Sequence, residues 1–194
     1  MRGSLDKTRQ SMQFRTCDIT GAYVVDPAPH NDARGHFYRA WCLREFAAHG
    51  IEFVPVQANM ALSVEPGTMR GVHYQVEPAP EAKLVRCTAG EIFDVVVDLR
   101  ANSPTFRRWH GEYLNAANGR MLYVPEGCGH GCLSTRPNTE IYYLTSAFYT
   151  PEAARGVRYD DPALGIRWPV PVRSVSEQDG RWPAFEAGQA GENT

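Results

Sequence analysis

Three polar residues on two predicted strands have the side-chain types that proton transfer needs. His73 lies three residues after Arg70 and ten residues before Lys83. Inward-facing side chains of a barrel can meet in one cavity, so these three are candidates for a shared site. A neutral His can act as a general base, and two nearby cations lower its proton affinity unless a carboxylate faces it. A buried structural His with surface Arg and Lys is the alternative interpretation.

A second candidate group is aromatic. Tyr142, Tyr143, Phe148 and Tyr149 follow one another closely in the sequence. Tyr143 and Tyr149 share a face if their strand continues without a bulge. Most clusters of this kind are core packing, and the residues alone leave both interpretations open.

The chain contains five cysteines at irregular spacing, an odd number that favours reduced thiols over a disulfide framework. Cys128 and Cys132 flank His130, so a thiolate metal site has to be considered. Structural zinc ligands usually come as two pairs, and the sequence has no second pair. Small buried hydrophobic side chains are therefore the favoured interpretation of Cys128 and Cys132.

The elements that must position these residues are short strands separated by turn signals rich in Gly, Pro, Asn and Ser. This pattern predicts an all-β fold, a barrel or double-sheet jelly roll with a few short helices. One helix is predicted at residues 42–49, stopped by Gly50. The predicted strands are 12–25, 34–41, 55–64, 71–75, 83–89, 91–98, 108–114, 120–124, 131–134 and 139–145.

Length and charge limit the class of protein. With 194 residues, one domain at 12–183 is expected, between a disordered leader at 1–11 and a disordered tail at 184–194. The net charge of −2 does not favour nucleic-acid binding. The first residues lack the apolar core of a signal peptide, and no run approaches the ~18 apolar residues that a membrane span needs. A cytoplasmic protein with no membrane partner is expected.

Two glycine-containing stretches resemble the two motifs of the cupin barrels. The spacing of Gly119, Pro125, Gly127 and His130 matches the second motif. The first is matched only in part: Gly67 and His73 fit, but Tyr74 and Gln75 stand where a metal-binding cupin has a second His and a Glu. A cupin-type jelly-roll barrel with no metal and no cofactor is therefore expected.

Longer segments carry a more specific likeness. From about residue 12 to residue 183 the sequence resembles the dTDP-4-dehydrorhamnose 3,5-epimerase family, a metal-free branch of the cupins. Each matching segment is weak alone, but their order and spacing together are specific. The segments are 32–37, 57–59, 69–75, 83–87, 91–100, 103–106, 125–131 and 161–166, together with Tyr143 and Tyr149.

The resemblance implies a role for each matching residue. His73 matches the base, Tyr143 the proton donor on the opposite face of the sugar, and Asp179 the carboxylate that pairs with the His. Arg70 and Lys83 match cations near the sugar ketone and the phosphates, where positive charge can stabilise an enolate. The remaining positions match ligand-binding residues: Arg34, Gln57, Asn59, His130 and, stacked on the nucleotide base, Tyr149. The family also implies a homodimer that exchanges N-terminal strands.

The resulting expectation is an epimerase of a nucleotide-linked 4-keto-6-deoxy sugar, of the dTDP-4-keto-6-deoxyglucose type. It would invert carbon 3, carbon 5 or both. Arg39, Gln178, Cys128 and Cys132 depart from the family pattern and leave the sugar and the number of inverted centres open. The alternatives are a 3,4-ketoisomerase, a non-catalytic sugar-nucleotide-binding cupin and, least favoured, a metal-dependent dioxygenase.

Overall fold

The computed structural model describes residues 11–185, and strands dominate this part of the chain. The helices are α1 (Leu43–Ala48) and α2 (Glu177–Gly180). The strands are β1 (Gln13–Thr16), β2 (Tyr23–Asp26), β3 (His30–Asp32), β4 (Gly35–Phe37), β5 (Gln57–Ser63), β6 (Thr68–Gln75), β7 (Lys83–Ala89), β8 (Glu91–Asp98), β9 (Trp109–Asn115), β10 (Met121–Val124), β11 (Cys128–Ser134), β12 (Thr139–Thr145), β13 (Ala154–Gly156) and β14 (Ser174–Val175).

Two sheets form the fold. The first has the order β1-β2-β10-β7-β12-β5, and the second has the order β13-β6-β11-β8-β9, with β14 paired in parallel to β6. Strands β3 and β4 form a separate hairpin. The central core cluster takes residues from both sheets, among them Val85 and Ile141 from the first and Val96 and Cys132 from the second. A core between two antiparallel sheets is a jelly roll, so the predicted fold class is confirmed.

Strand alternation decides which side chains reach the interior. In β12, Ile141 joins the central core and Tyr143 packs against it, whereas Leu144 packs on the opposite face of the sheet. In β7, Val85 points inward and Leu84 outward. Because side chains alternate between the two faces of a strand, Tyr143 lies on the interior side of the first sheet.

The outer face of the first sheet is closed by the predicted helix. Phe46 of α1 is fully buried and makes an edge-on contact with Phe14, with ring centroids 5.0 Å apart. Gly50, at φ +72°, ends this segment as predicted. The helix thus stabilises the sheet from behind and leaves the interior free for a site.

The C-terminal segment covers the outer face of the second sheet. Leu164 and Phe185 pack with Val72 and Val97, and the Phe185 N–H donates to Asp161 Oδ2 at 2.5 Å. The described packing thus reaches Phe185, two residues beyond the predicted domain end. Most of the predicted tail, and the predicted leader apart from its last residue, lie outside the described residues.

Several predicted strands were wrong in extent; β6 and β11, for example, each begin three residues before the predicted strand. The predicted strand 12–25 is a hairpin, because the chain turns at Gly21, with φ +81°, between β1 and β2. Of the predicted strand 34–41 only β4 forms, and its residues are exposed because the β3–β4 hairpin packs on neither sheet. Strands β7, β8 and β12 have the predicted bounds. No helix of residues 11–185 has the length and apolar character to cross a membrane.

Candidate active site

An open cleft lies between the two sheets. It consists of two cavities of about 330 Å³ and 440 Å³ that share His73, Lys83, Tyr143 and Gln178 as lining residues. His73 comes from β6 in the second sheet, and Tyr143 comes from β12 in the first. Two potential proton-transfer groups therefore lie on opposite walls of one cleft.

The cleft collects nine of the ten predicted site residues. His73, Lys83 and Tyr143 line both cavities. Gln57, Asn59 and Tyr149 line only the smaller one, and Arg70, His130 and Asp179 only the larger one. Arg34 is the predicted site residue that this chain does not bring to the cleft.

A bulge in β6 explains how Arg70 and His73 come to line one cavity. Three positions apart, they would face opposite sides of a regular strand. Opposite them, His130 pairs with His73 and Cys132 with Arg70, so three steps on β6 oppose two on β11. The extra residue reverses the alternation and turns both side chains inward. The expectation of a shared cavity is met, although β6 and β7 lie in different sheets rather than side by side.

Gly71 makes the bulge sterically possible. Its φ is +116°, which glycine adopts without strain. A Cβ atom on Gly71 would lie only 2.6 Å from the Gly131 Cα, so the two strands approach too closely for any side chain. The Gly71 N–H donates to Asp179 Oδ2 at 3.2 Å, which links the bulge directly to the site.

His73 and Asp179 form a close pair. The His73 Nε2 lies 2.5 Å from Asp179 Oδ1. The Asp179 side chain is 6% exposed and the His73 side chain 42%. A carboxylate that is ionised can only accept hydrogen bonds, so Nε2 carries a proton in this pair, and in the neutral imidazole the lone pair is then on Nδ1. The pairing thus leaves His73 with one basic nitrogen available to a ligand.

Asp179 is held by its surroundings in the ionised form. Burial raises its pKa, but the hydrogen bonds from His73, from the Gly71 N–H and from Trp182 outweigh burial and keep the pKa below its usual value. The Asp179 N–H donates to Ser176 Oγ at 3.0 Å, the N-cap bond of α2. Helix α2 thus holds Asp179 in place, and Asp179 in turn orients the His73 ring.

Trp182 closes this pair on one side. Its Nε1 donates to Asp179 Oδ1 at 3.3 Å, and its ring lies edge-on to His73 with centroids 6.3 Å apart. A Cβ atom on Gly156 would lie 2.3 Å from the Trp182 ring, so Gly156 provides the space that the ring occupies. Trp182 also lines the smaller cavity.

On the opposite wall, Tyr143 is in the proton-donating form. Burial raises its pKa, and the negative charge of Glu81 raises it further, while Arg70 acts in the opposite direction. The phenol is therefore neutral at neutral pH, as a general acid requires.

His130 lies deeper in the barrel and is paired as well. Its Nε2 lies 2.8 Å from Oδ1 of Asp94, a fully buried carboxylate on the neighbouring strand β8. Asp94 Oδ2 has no hydrogen-bond partner among the described residues. His130 also lines the larger cavity.

The cysteines beside His130 are buried thiols. Burial raises the pKa of Cys128 to about 12 and that of Cys132 further, so both carry their protons in this structure, and a metal would have to displace these protons to bind. Within residues 11–185, no three His, Cys, Asp or Glu side chains are grouped as a metal site would need. The donor chemistry supports a metal-free site, which remains a prediction.

The rim of the smaller cavity is polar and aromatic. Gln57 Nε2 donates to Asn59 Oδ1 at 3.0 Å, and Gln57 Oε1 accepts from the Tyr149 N–H at 3.2 Å. The Tyr149 ring is exposed, so one flat aromatic face remains open beside two amide side chains. Such a face can stack on a planar base.

Arg34 lies on the tip of the β3–β4 hairpin, outside the cleft. Its side chain is 89% exposed, and its guanidinium bonds only to Asp32 among the described residues, with Nη2 and Oδ2 2.6 Å apart. Arg34 therefore does not line the cleft of its own chain in this structure.

Several cleft residues were missed by sequence reasoning. Glu81 and Gln178 line the cleft, as does Trp182. The sequence could have predicted Glu81, because it lies two positions before Lys83 and residues two apart share a face in an extended chain. Asp94 could also have been predicted, because it lies between Ile92 and Val96 at a position of the strand that faces the interior. Trp182 could not have been predicted, because its position depends on the path of the C-terminal segment.

A jelly roll with a paired His in the cleft between its sheets is the architecture of a cupin. The chain belongs to the dTDP-4-dehydrorhamnose 3,5-epimerase family, whose model matches residues 16–187. It is therefore an epimerase, within the class of isomerases.

Individual relatives agree with this membership. The dTDP-4-dehydrorhamnose 3,5-epimerase of Sinorhizobium fredii is 40% identical over 175 residues, covering 90% of both chains. The dTDP-4-dehydrorhamnose 3-epimerase of Streptomyces niveus is 39% identical, covering 87% of this chain and 82% of its own. The crystal structure of the Bacillus anthracis 3,5-epimerase with TDP and pyrophosphate bound superposes with a TM-score of 0.87 at 35% identity, covering 90% of this chain and all of that one.

Asp179→Asn tests whether the carboxylate acts through His73. The amide keeps the size but not the charge, so it cannot stabilise the imidazolium that forms when His73 takes a proton. We expect turnover to fall by ~100-fold or more, in the range of a general base group, with little change in affinity for the nucleotide. Steady-state kinetics and calorimetric titration with dTDP measure the two effects. Asp160→Asn, at an exposed ion pair with Arg158, is the matched control. Equal kinetics in both variants would remove Asp179 from the mechanism.

Proposed function

We propose that the protein epimerises a dTDP-linked 4-keto-6-deoxy sugar, of the dTDP-4-keto-6-deoxyglucose type, at carbon 3, carbon 5 or both. The observation that carries the proposal is that His73 and Tyr143 face one cleft from different sheets. Inversion of a carbon centre needs one group to remove a proton and another to return one on the opposite face. The relatives named above, a 3,5-epimerase and a 3-epimerase, support this substrate class.

His73 removes the proton in the first step. The hydrogen on a carbon beside a ketone is a weak acid, and the bond that breaks leaves its electron pair in an enolate. The Nδ1 lone pair of His73 takes the proton, and Asp179 stabilises the positive imidazolium that results. Lys83 and Arg70, which line the larger cavity with His73, supply positive charge where the carbonyl oxygen becomes negative.

Tyr143 completes the inversion in the second step. The enolate collapses to the ketone, and its carbon takes the phenolic proton from the wall opposite His73. Because burial and Glu81 raise the Tyr143 pKa, the phenol carries its proton before the reaction. The His73 side chain is partly exposed, so the proton that it has taken can be lost to water before the next turnover. The Tyr143 phenolate takes up a proton from water in exchange, which restores the enzyme.

The nucleotide occupies the rim of the smaller cavity. Tyr149 stacks on the base, and Gln57 and Asn59 supply hydrogen bonds beside it. His130 and Arg70 hold the sugar in the larger cavity. No metal or cofactor takes part.

A non-catalytic sugar-binding cupin is the competing function. A binding module needs a shaped cavity but has no use for a buried carboxylate at 2.5 Å from a His that faces a neutral Tyr across the cleft. The convergence of these three groups favours catalysis.

We further propose a homodimer in which the β3–β4 hairpin reaches the partner's cleft. The hairpin exposes Arg34 and also Phe37, whose residue surface is 75% exposed. Strand β5 is an edge strand, and its outward side chains Met60 and Leu62 are 60% and 53% exposed. Long apolar edge strands are usually covered in native proteins, so β5 is a suitable surface for a second copy. In this arrangement Arg34 binds the diphosphate in the partner's site, where a fork-shaped cation suits phosphate oxygens.

A cytoplasmic location is also proposed. All five cysteines are free, as expected in a reducing compartment. Recovery of the protein in the periplasmic or secreted fraction of its own cells would contradict it.

The two catalytic roles can be separated by measuring exchange and epimerisation together in deuterated water with dTDP-4-keto-6-deoxyglucose. His73→Ala should lose both, because no group removes the proton. Tyr143→Phe should lose epimerised product but keep some exchange, because His73 can still remove a proton and return a deuteron to the same face. We expect losses of ~100- to 10,000-fold. Mass spectrometry and NMR measure both.

The controls make this test decisive. Tyr142→Phe, on the neighbouring position of β12, removes a hydroxyl that lines neither cavity. All proteins are dialysed against EDTA first, and loss of wild-type turnover at that step would contradict the metal-free site. Exchange that survives in His73→Ala and disappears in Tyr143→Phe would reverse the two roles. Normal turnover in both variants would favour the sugar-binding function instead.

Strand exchange predicts complementation between two defective chains. Arg34→Ala and His73→Ala chains are co-expressed with different tags, and the mixed dimer is purified over both. One of its sites has His73 from one chain and Arg34 from the other, so we expect about half of the wild-type turnover per dimer. The matched control pairs a wild-type chain with the Arg34→Ala, His73→Ala double variant and should have no complete site. Activity in the control but not in the complementing pair, or a monomer in sedimentation, would refute the exchange.

A further inference from the structure

Lys83 has a partner in the cleft to which no role has yet been given. Glu81 Oε1 lies 2.8 Å from Lys83 Nζ, and the two side chains are only 10% and 9% exposed. Both line the smaller cavity, together with His73 and Tyr143. The cleft therefore contains a nearly buried carboxylate next to the ammonium that meets the ketone.

The contacts of Lys83 fix the direction of its remaining donor. An ammonium has three N–H groups. One donates to Glu81, and a second donates to the His73 carbonyl oxygen, which lies 3.4 Å from Lys83 Nζ. Counting contacts within residues 11–185, the third is left for a ligand. Glu81 and the backbone of His73 thus aim this donor from two sides, which a flexible Lys side chain could not achieve by itself.

The charge of Glu81 also acts on Tyr143. After burial, Glu81 is the group that most strongly raises the Tyr143 pKa, against the lowering effect of Arg70. An enzyme that places cations beside an enolate risks ionising a nearby phenol and losing its acid. A carboxylate on the same wall opposes that loss.

We propose that Glu81 is a positioning residue of this site: it aims Lys83 at the ketone oxygen and places a negative charge beside Tyr143 that preserves its proton. This role rests on the proposed epimerase function. In this role the ion pair does more than neutralise the charge of Lys83. Glu81 acts on Lys83 in the first step of the reaction and on Tyr143 in the second.

Two substitutions of Glu81 separate the effect of its side-chain length from the effect of its negative charge. Glu81→Gln keeps the length and an oxygen that can accept from Lys83, but removes the negative charge. Glu81→Asp keeps the charge, but its carboxylate is one methylene shorter and cannot hold Lys83 in the same place. Glu77→Gln, an exposed carboxylate on the same loop, is the matched control. Circular dichroism and thermal melting verify that each full-length variant is folded.

Epimerisation and solvent exchange are then measured from pH 6 to pH 11. Epimerisation needs the protonated phenol, so it is lost as the pH rises through the Tyr143 pKa. Removing the neighbouring charge lowers that pKa, so Glu81→Gln should lose epimerisation at lower pH than the wild type while exchange persists. Glu81→Asp should lose epimerisation at the same alkaline pH as the wild type. Its kcat should fall about 10- to 100-fold, as expected if the Lys83 donor is misplaced. Its affinity for dTDP should be unchanged.

The failures are distinguishable. If the wild type and Glu77→Gln show neither exchange nor epimerisation, the proposed function is wrong. Suppose that the wild type and Glu77→Gln are active, and that the two Glu81 variants have the same kcat and lose activity at the same alkaline pH as they do. Glu81 then only neutralises Lys83, and this inference is wrong. If Glu81→Gln lowers the pH at which exchange and epimerisation are both lost, the titrating group is Lys83. That result would overturn the proposed effect of Glu81 on Tyr143.

Discussion

The close approach of β6 and β11 at Gly71 governs how the site is built. With no side chain at Gly71, the two strands come close enough for β6 to bulge, and the bulge turns Arg70 and His73 to the interior together. The Gly71 N–H exposed by this conformation binds Asp179, which comes from the far end of the described chain. A single backbone irregularity thus places the base, a neighbouring cation and the carboxylate that orients the base. A side chain at Gly71 would force the strands apart and disturb all three.

Electrostatic pairing is the second organising feature. Each of three polar groups in the cleft is matched by a carboxylate: His73 by Asp179, His130 by Asp94, and Lys83 by Glu81. Buried charges are costly unless they are paired, and this applies most to the Lys83–Glu81 and His130–Asp94 pairs, whose side chains are nearly buried. The pairing keeps the groups in defined directions, so they need little rearrangement when a charge develops on the substrate. The same feature makes the cleft sensitive to loss of any one carboxylate.

The sequence was most informative where the chain alternates regularly. The bounds of β7, β8 and β12 could be predicted because these strands are flanked by turn residues and rich in branched and aromatic side chains. The β3–β4 hairpin could not, since its extended residues are exposed and pack on neither sheet. Asp179 was found through resemblance alone, because its distance in sequence from His73 gives no local signal. Trp182 was missed for the same reason.

The central claim is that His73 and Tyr143 act on opposite faces of the sugar carbon. The most direct test follows the hydrogen itself in the wild-type enzyme. The substrate, with protium at carbons 3 and 5, is converted in deuterated water, and the earliest product is examined by NMR. The two-group site predicts solvent deuterium at every inverted carbon and none of the substrate's own hydrogen there, because the proton taken by His73 cannot reach the opposite face. Substrate protium retained at an inverted carbon of the early product would show that one group serves both faces, and would contradict the account.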